Sequence, residues 1–126
     1  MYQYYNPNPY GKRTGDCVIR AICKATGHDW LDVYLGLCIE GAHNGDWGNT
    51  NSVWSAYLRN KGFVRQVIPN TCPDCYKIED FCRDHPKGTY ILATGSHAVC
   101  LQDGVVYDSW DSSQEIPVYF FEEDKK

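Results

Sequence analysis

The spacing of apolar residues divides the chain into a helical first half and a strand-rich second half. From Asp29 onward, Trp30, Val33, Tyr34, Leu37 and Cys38 recur at the interval of a helix with one buried face, which predicts a helix ending near Glu40-Gly41. Upstream, Val18, Ile19, Ala21, Ile22 and Ala25 predict a shorter helix, with Thr14 or Asp16 as its cap and Gly27 as its stop. Residues 42–50 hold too much glycine and asparagine for regular structure. A third helix follows, capped by Asn51 or Ser52, turning Val53, Trp54, Tyr57 and Leu58 inward and closed by Gly62. Phe63 to Ile68 alternates as a short strand. A short helix is expected around Tyr76 to Asp84, broken by His85-Pro86-Lys87-Gly88.

Beyond residue 88 the period changes to two. Residues 89–94, 97–102, 105–108 and 116–121 read as four strands, with Asp103-Gly104 as a two-residue hairpin turn. Helices followed by antiparallel strands are the signature of an α+β fold. The length suits a single domain over residues 1–126. Its parts are an irregular arm (1–13) in which Asn6-Pro7-Asn8-Pro9 favours turns, a helical half (14–62), a mostly stranded half (63–121) and a solvated charged tail (122–126).

Charge and composition narrow the class. A net charge of −4 gives no electrostatic reason to expect a nucleic-acid or membrane partner. No stretch approaches the roughly 20 apolar residues of a membrane span, and the N-terminus carries no signal-peptide core. The expectation is a soluble protein that stays in the cytoplasm. Seven cysteines are an odd number with no export signal, so they are expected to be reduced, with Cys23, Cys38 and Cys100 in the core.

One of the seven stands out. Cys17 lies on the first turn of the first helix, where the macrodipole and free backbone N–H groups favour a thiolate over the ordinary thiol of pKa about 8.5. A cysteine is more often packing than chemistry, but a nucleophile needs a base and the base needs an orienting partner. His97 opens one strand and Asp108 closes the next. Pairing about the Asp103-Gly104 turn sets residue 99 opposite 108 and so places Asp108 diagonal to His97. Asp111, the rival carboxylate, reads as a turn residue in Asp111-Ser112-Ser113.

A cysteine at a helix start, a histidine far downstream on a strand, then Asp108-Ser109-Trp110 resembles the papain-like cysteine peptidase superfamily. There the orienting residue is commonly the Asn of an Asn-Ser-Trp motif whose tryptophan shields the histidine pair. Bacteriocin-processing peptidases of that fold use Asp instead and are closer to this chain in compactness. The stretches Gly15-Asp16-Cys17 and Tyr107-Asp108-Ser109-Trp110-Asp111 are also similar to those of short papain-like proteins of bacteria and their phages. The resemblance implies a papain-like fold, with helices carrying the cysteine packed on an antiparallel sheet carrying the histidine and aspartate. It implies a hydrolase that cuts a peptide or isopeptide bond of a peptide or protein substrate through a thioester, with no cofactor or metal. Cys17 would attack, His97 would carry the proton and Asp108 would orient His97. Papain-like enzymes place an oxyanion-hole glutamine six residues before the cysteine, where this chain has Gly11. Among the nearby amides Asn8, Asn6 and Gln3, Asn8 is the proposed donor beside the Cys17 backbone N–H. Asp46, Trp47 and Asn49 of the glycine-rich loop, with Trp110, are the candidate substrate contacts.

Two other readings belong to different classes. One keeps the same fold as a non-catalytic interaction module. The other centres on Cys72-Pro73-Asp74-Cys75, Cys82 and His85, whose C-x2-C-x6-C-x2-H spacing could hold a structural zinc or act as a thiol site. A proline turn with two packed thiols explains the same residues more simply.

Overall fold

In the computed structural model, which describes residues 1–69 and 71–124, ten elements follow in order. They are β1 (Tyr2–Tyr4), α1 (Cys17–Thr26), α2 (Trp30–Asn44), α3 (Asn51–Asn60), β2 (Phe63–Val67), α4 (Ile78–Asp84), β3 (Thr89–Ala93), β4 (Ala98–Gln102), β5 (Val105–Asp108) and β6 (Tyr119–Glu123). The strands form one sheet in the order β1-β5-β4-β3-β6-β2.

Side-chain alternation on the central strands builds two cores. Ile91 and Ala93 of β3, Ala98 and Cys100 of β4, and Tyr119 and Phe121 of β6 pack with α1, α2 and α3 through Ile22, Leu37 and Trp54. The intervening Leu92, Val99 and Leu101 pack on the other face against Ile78, Phe81 and Cys82 of α4. Because both faces are covered, β3 and β4 read as nearly unbroken apolar runs. The result is an α+β fold of three layers, with three helices on one face of the sheet and one on the other.

Several expectations need correction. The sheet is mixed, because β1 runs parallel to β5 with Tyr2 opposite Val106 and Tyr4 opposite Asp108. The first five residues of the expected irregular arm are thus tied to a free strand edge. The Val106 N–H donates to the Met1 carbonyl (2.9 Å) and the Tyr5 N–H to the Asp108 carbonyl (2.8 Å). At the other end β6 begins at Tyr119 rather than Ile116 and takes in Glu122 and Glu123, which pair with Val64 and Phe63. Lys125 and Lys126 of the expected tail lie outside the described residues. Helix α2 continues three residues past Gly41 and stops at Gly45 in the left-handed conformation. Neither α1 nor α3 is capped by a side chain; Asp16 and Thr50 occupy the cap positions without the bond.

The cysteines also depart from expectation. Cys72 and Cys75 form a disulfide across their turn, and Cys38 is exposed, whereas Cys23, Cys82 and Cys100 are buried. An odd count argues against a full disulfide framework, but not against one local bridge three residues apart. The bridge also removes two ligands from the proposed zinc set. His85 stacks on Phe81 at 3.9 Å and its Nδ1–H donates to the Phe81 carbonyl. Among the described residues no group of three or more His, Cys, Asp or Glu is placed to hold a metal ion. Alkylation of the unfolded, unreduced protein should therefore consume five thiols, rising to the seven of the sequence after reduction. Intact-mass spectrometry reads this directly, and seven in both samples would remove the bridge.

Candidate active site

Three chain reversals bring the site together. Asp16 occupies the N-cap position and α1 begins at Cys17. The β3–β4 connection closes with the Thr94 N–H on the His97 carbonyl (2.8 Å), which puts His97 at the entry to β4. The β4–β5 hairpin turns on Asp103 (φ 50°) and Gly104 (φ 78°), both left-handed as a two-residue turn of the I′ kind requires. Its pairing of Cys100 with Tyr107 is the register anticipated from the turn, and it carries Asp108 back beside His97.

His97 Nε2 lies 2.7 Å from Asp108 Oδ2. With Nε2 so engaged, Nδ1 is the ring nitrogen left for the Cys17 thiol, with which the His97 side chain shares a hydrogen bond. Asp108 is almost wholly buried at 1% exposure. Its Oδ2 also accepts from Ser112 Oγ (2.8 Å), and its Oδ1 accepts from the Ser109 N–H (2.7 Å) and Arg20 Nη2 (3.1 Å). Asp111 is exposed and accepts the Ser113 N–H, as a turn residue does.

The electrostatics follow from these contacts. Burial would raise the Cys17 pKa, but hydrogen bonds from His97 and the Ala98 backbone, and the charges of His97 and Arg20, outweigh it and hold the thiol below its ordinary value. Burial would lower the pKa of His97, yet hydrogen bonds to Asp108 and Cys17 raise it to about 9. Burial opposes ionisation of Asp108 as well, and its bonds to His97 and Ser112 win, leaving it lowered. All three shifts run in the direction that favours a thiolate at Cys17 and an imidazolium at His97, backed by the Asp108 carboxylate. The buried thiols contrast with this, since burial pushes Cys23 and Cys100 up to about 12.

Cys17 and His97 open into a cleft of about 970 Å³ that Asn8, Trp30, Tyr34 and Trp47 also line. The apolar stripe of α2 is therefore divided. Val33 is buried away from the cleft, while Trp30 and Tyr34, stacked at 5.1 Å, the exposed Cys38 and one side of the largely buried Leu37 form part of the cleft wall. The loop after α2 reaches the cleft because glycines let it close on the helix. A Cβ on Gly41 would stand 2.5 Å from the Asp46 carbonyl oxygen, and one on Gly48 would stand 2.9 Å from that of Leu37. Trp47 and Asn49 thereby reach the rim, but Asp46 is not among the lining residues and accepts the Trp47 N–H instead. Trp110 does not line the cleft either. Its ring lies 4.8 Å from that of His97 and covers the histidine.

Asn8 is buried to 8% exposure and its amide orientation is set by its neighbour. Oδ1 accepts the Tyr10 N–H at 2.8 Å, which leaves Nδ2 as a donor with no protein partner among the described residues. The rival amides are committed to backbone carbonyls, Asn6 to Lys12 and Gln3 to Tyr4.

The residues missed from sequence are Arg20, Ser112 and the side chain of Asp16. Asp16 does not cap α1, because its carboxylate is taken by Arg20 and by Trp30 Nε1 (2.9 Å). The available signal was a lone arginine in the apolar run Val18 to Ile22, four residues after an aspartate. Comparison with protein families, with curated proteins and with solved structures returned no match to this chain.

Proposed function

We propose that this protein is a cysteine hydrolase of papain-like architecture that transfers an acyl group to water through a Cys17 thioester, cutting a peptide or isopeptide bond. The observation that carries this reading is geometric: Cys17 at a helix start and His97, held 2.7 Å from the buried Asp108 carboxylate, line one open cleft, and the depressed Cys17 and raised His97 agree with it. Cys17 Sγ attacks the carbonyl carbon, and the tetrahedral oxyanion is met by Asn8 Nδ2 and the Cys17 N–H. The His97 Nδ1–H protonates the leaving amine as the C–N bond breaks. Water then attacks the thioester, His97 accepts its proton, and the acid product leaves with the thiolate restored. Asp108 keeps the imidazole oriented and its positive form stable.

The test is a peptide-library digest read by mass spectrometry, wild type against Cys17→Ala. Cleavage products present with wild type and absent with Cys17→Ala are expected. No product from any peptide, with Cys17 still alkylated fastest, would favour an interaction module that retains the site as architecture.

A further inference from the structure

Arg20 sits where an apolar side chain would be expected, on α1 at 5% exposure. Its guanidinium spans two buried carboxylates, Nη1 on Asp16 Oδ1 and Nη2 on Asp108 Oδ1 at 3.1 Å. Its Nε is buried with no hydrogen-bond partner, the only such side-chain nitrogen or oxygen among the described residues. Buried donors are nearly always satisfied, and an apolar side chain between neutral neighbours would fill position 20 without desolvating three charges. A purely structural role does not require this group. Its position does serve the chemistry. Asp16 directly precedes the nucleophile, and Asp108 holds the base from β5, 88 residues further along than Arg20. Arg20 is therefore the rigid fork that fixes the helix carrying Cys17 to the strand carrying Asp108.

We propose that Arg20, anchored on its far side by Asp16, is a positioning residue that aims Asp108 at His97 and thereby sets the charge of the Cys17–His97 pair. This inference rests on the proposed Cys–His–Asp chemistry. Charges alternate along the chain of contacts from Asp16 through Arg20, Asp108 and His97 to Cys17, so loosening the fork should reach the thiol through orientation. Trp30 bonds Asp16 from the cleft wall, which supports the anchor from the substrate side.

The experiment is the pH profile of Cys17 alkylation, which needs no substrate. Arg20→Lys keeps a positive charge but replaces the two-pronged fork with a single ammonium. The thiolate inflection should move up by about one pH unit, with alkylation about tenfold slower on the rising limb. Asp16→Asn is the second variant, and it carries the decision if Arg20→Lys does not fold. Removing an anion beside Cys17 would, by its field alone, make the thiolate easier to form. An upward shift in that variant therefore reports lost orientation. A structural role predicts a lower Tm with the inflection of the folded protein unmoved, and an unmoved or lowered inflection in the folded variants overturns the proposal. His97→Ala is run alongside. If it leaves wild-type Cys17 reactivity unchanged, the Cys–His reading itself has failed and this inference falls with it. If it abolishes reactivity while Arg20→Lys and Asp16→Asn do nothing, only the role of Arg20 is lost.

Discussion

Replacing His97 with alanine is expected to slow alkylation of Cys17 at neutral pH by about tenfold or more and to change the shape of its pH profile. An isolated thiol of pKa about 8.5 is only ~3% thiolate at pH 7. In the wild type the His97 hydrogen bond and charge hold Cys17 below its ordinary value against burial. Without the imidazole, burial acts with less opposition and the thiolate becomes scarcer than in a free cysteine. The sign can be followed along the pH axis. In the wild type, reactivity should rise through the lowered Cys17 inflection, then hold level while His97 stays protonated. It should change again near pH 9, where His97 loses its proton and the thiolate loses its partner. The variant should show a single rise, at or above the ordinary thiol range. Limiting iodoacetamide with peptide mass spectrometry reads each free cysteine separately. Cys23 and Cys100, pushed up to about 12, serve as internal controls that stay silent throughout. An unchanged Cys17 profile would mean that His97 does not activate the thiol.

What could be read from the sequence was what the chain decides locally. The start of α1 at Cys17, the inward residues Val53, Trp54, Tyr57 and Leu58 of α3, and the Asp103-Gly104 hairpin each depend on neighbours within a few positions. The hairpin register follows from turn geometry, so the approach of Asp108 to His97 was open to inference. What escaped depends on distant partners. The strand character of Tyr2–Tyr4 is conferred by the free edge of β5, about a hundred residues away, and three residues carry too little pattern to announce it. The stripe Trp30, Tyr34, Leu37, Cys38 has helical periodicity whether it faces core or cleft, so spacing could not separate the buried Leu37 from the exposed Cys38. Arg20 was legible as an anomaly in an apolar run, but its purpose needed Asp108. Trp110 and Asp46 show the converse. Both residue types suit substrate contact, and the sequence does not show the partner each has in the fold, His97 for Trp110 and the backbone of its own loop for Asp46.

Asn8→Ala is expected to lower kcat on a cleaved peptide by about 10²–10³ while leaving the rate and pH profile of Cys17 alkylation unchanged. The two readouts separate because displacement of iodide at a saturated carbon builds no oxyanion, whereas attack on a carbonyl does. Only the second reaction calls on Asn8 Nδ2. The substitution also removes the acceptor of the Tyr10 N–H, at a structural cost of about 1 kcal/mol. Asn8→Asp separates that cost from the chemistry. It preserves an oxygen for Tyr10 but replaces the donor with a second acceptor, and at neutral pH sets a negative charge beside the developing one. It should fold as well as the wild type and turn over no faster than Asn8→Ala. Full turnover by Asn8→Ala would assign the oxyanion to another donor, and recovery by Asn8→Asp would show that Asn8 acts by holding the arm in place. The expected pattern, two slow variants with Cys17 normally reactive in Asn8→Ala, would place Asn8 at the carbonyl oxygen and make the buried arm part of the catalytic apparatus.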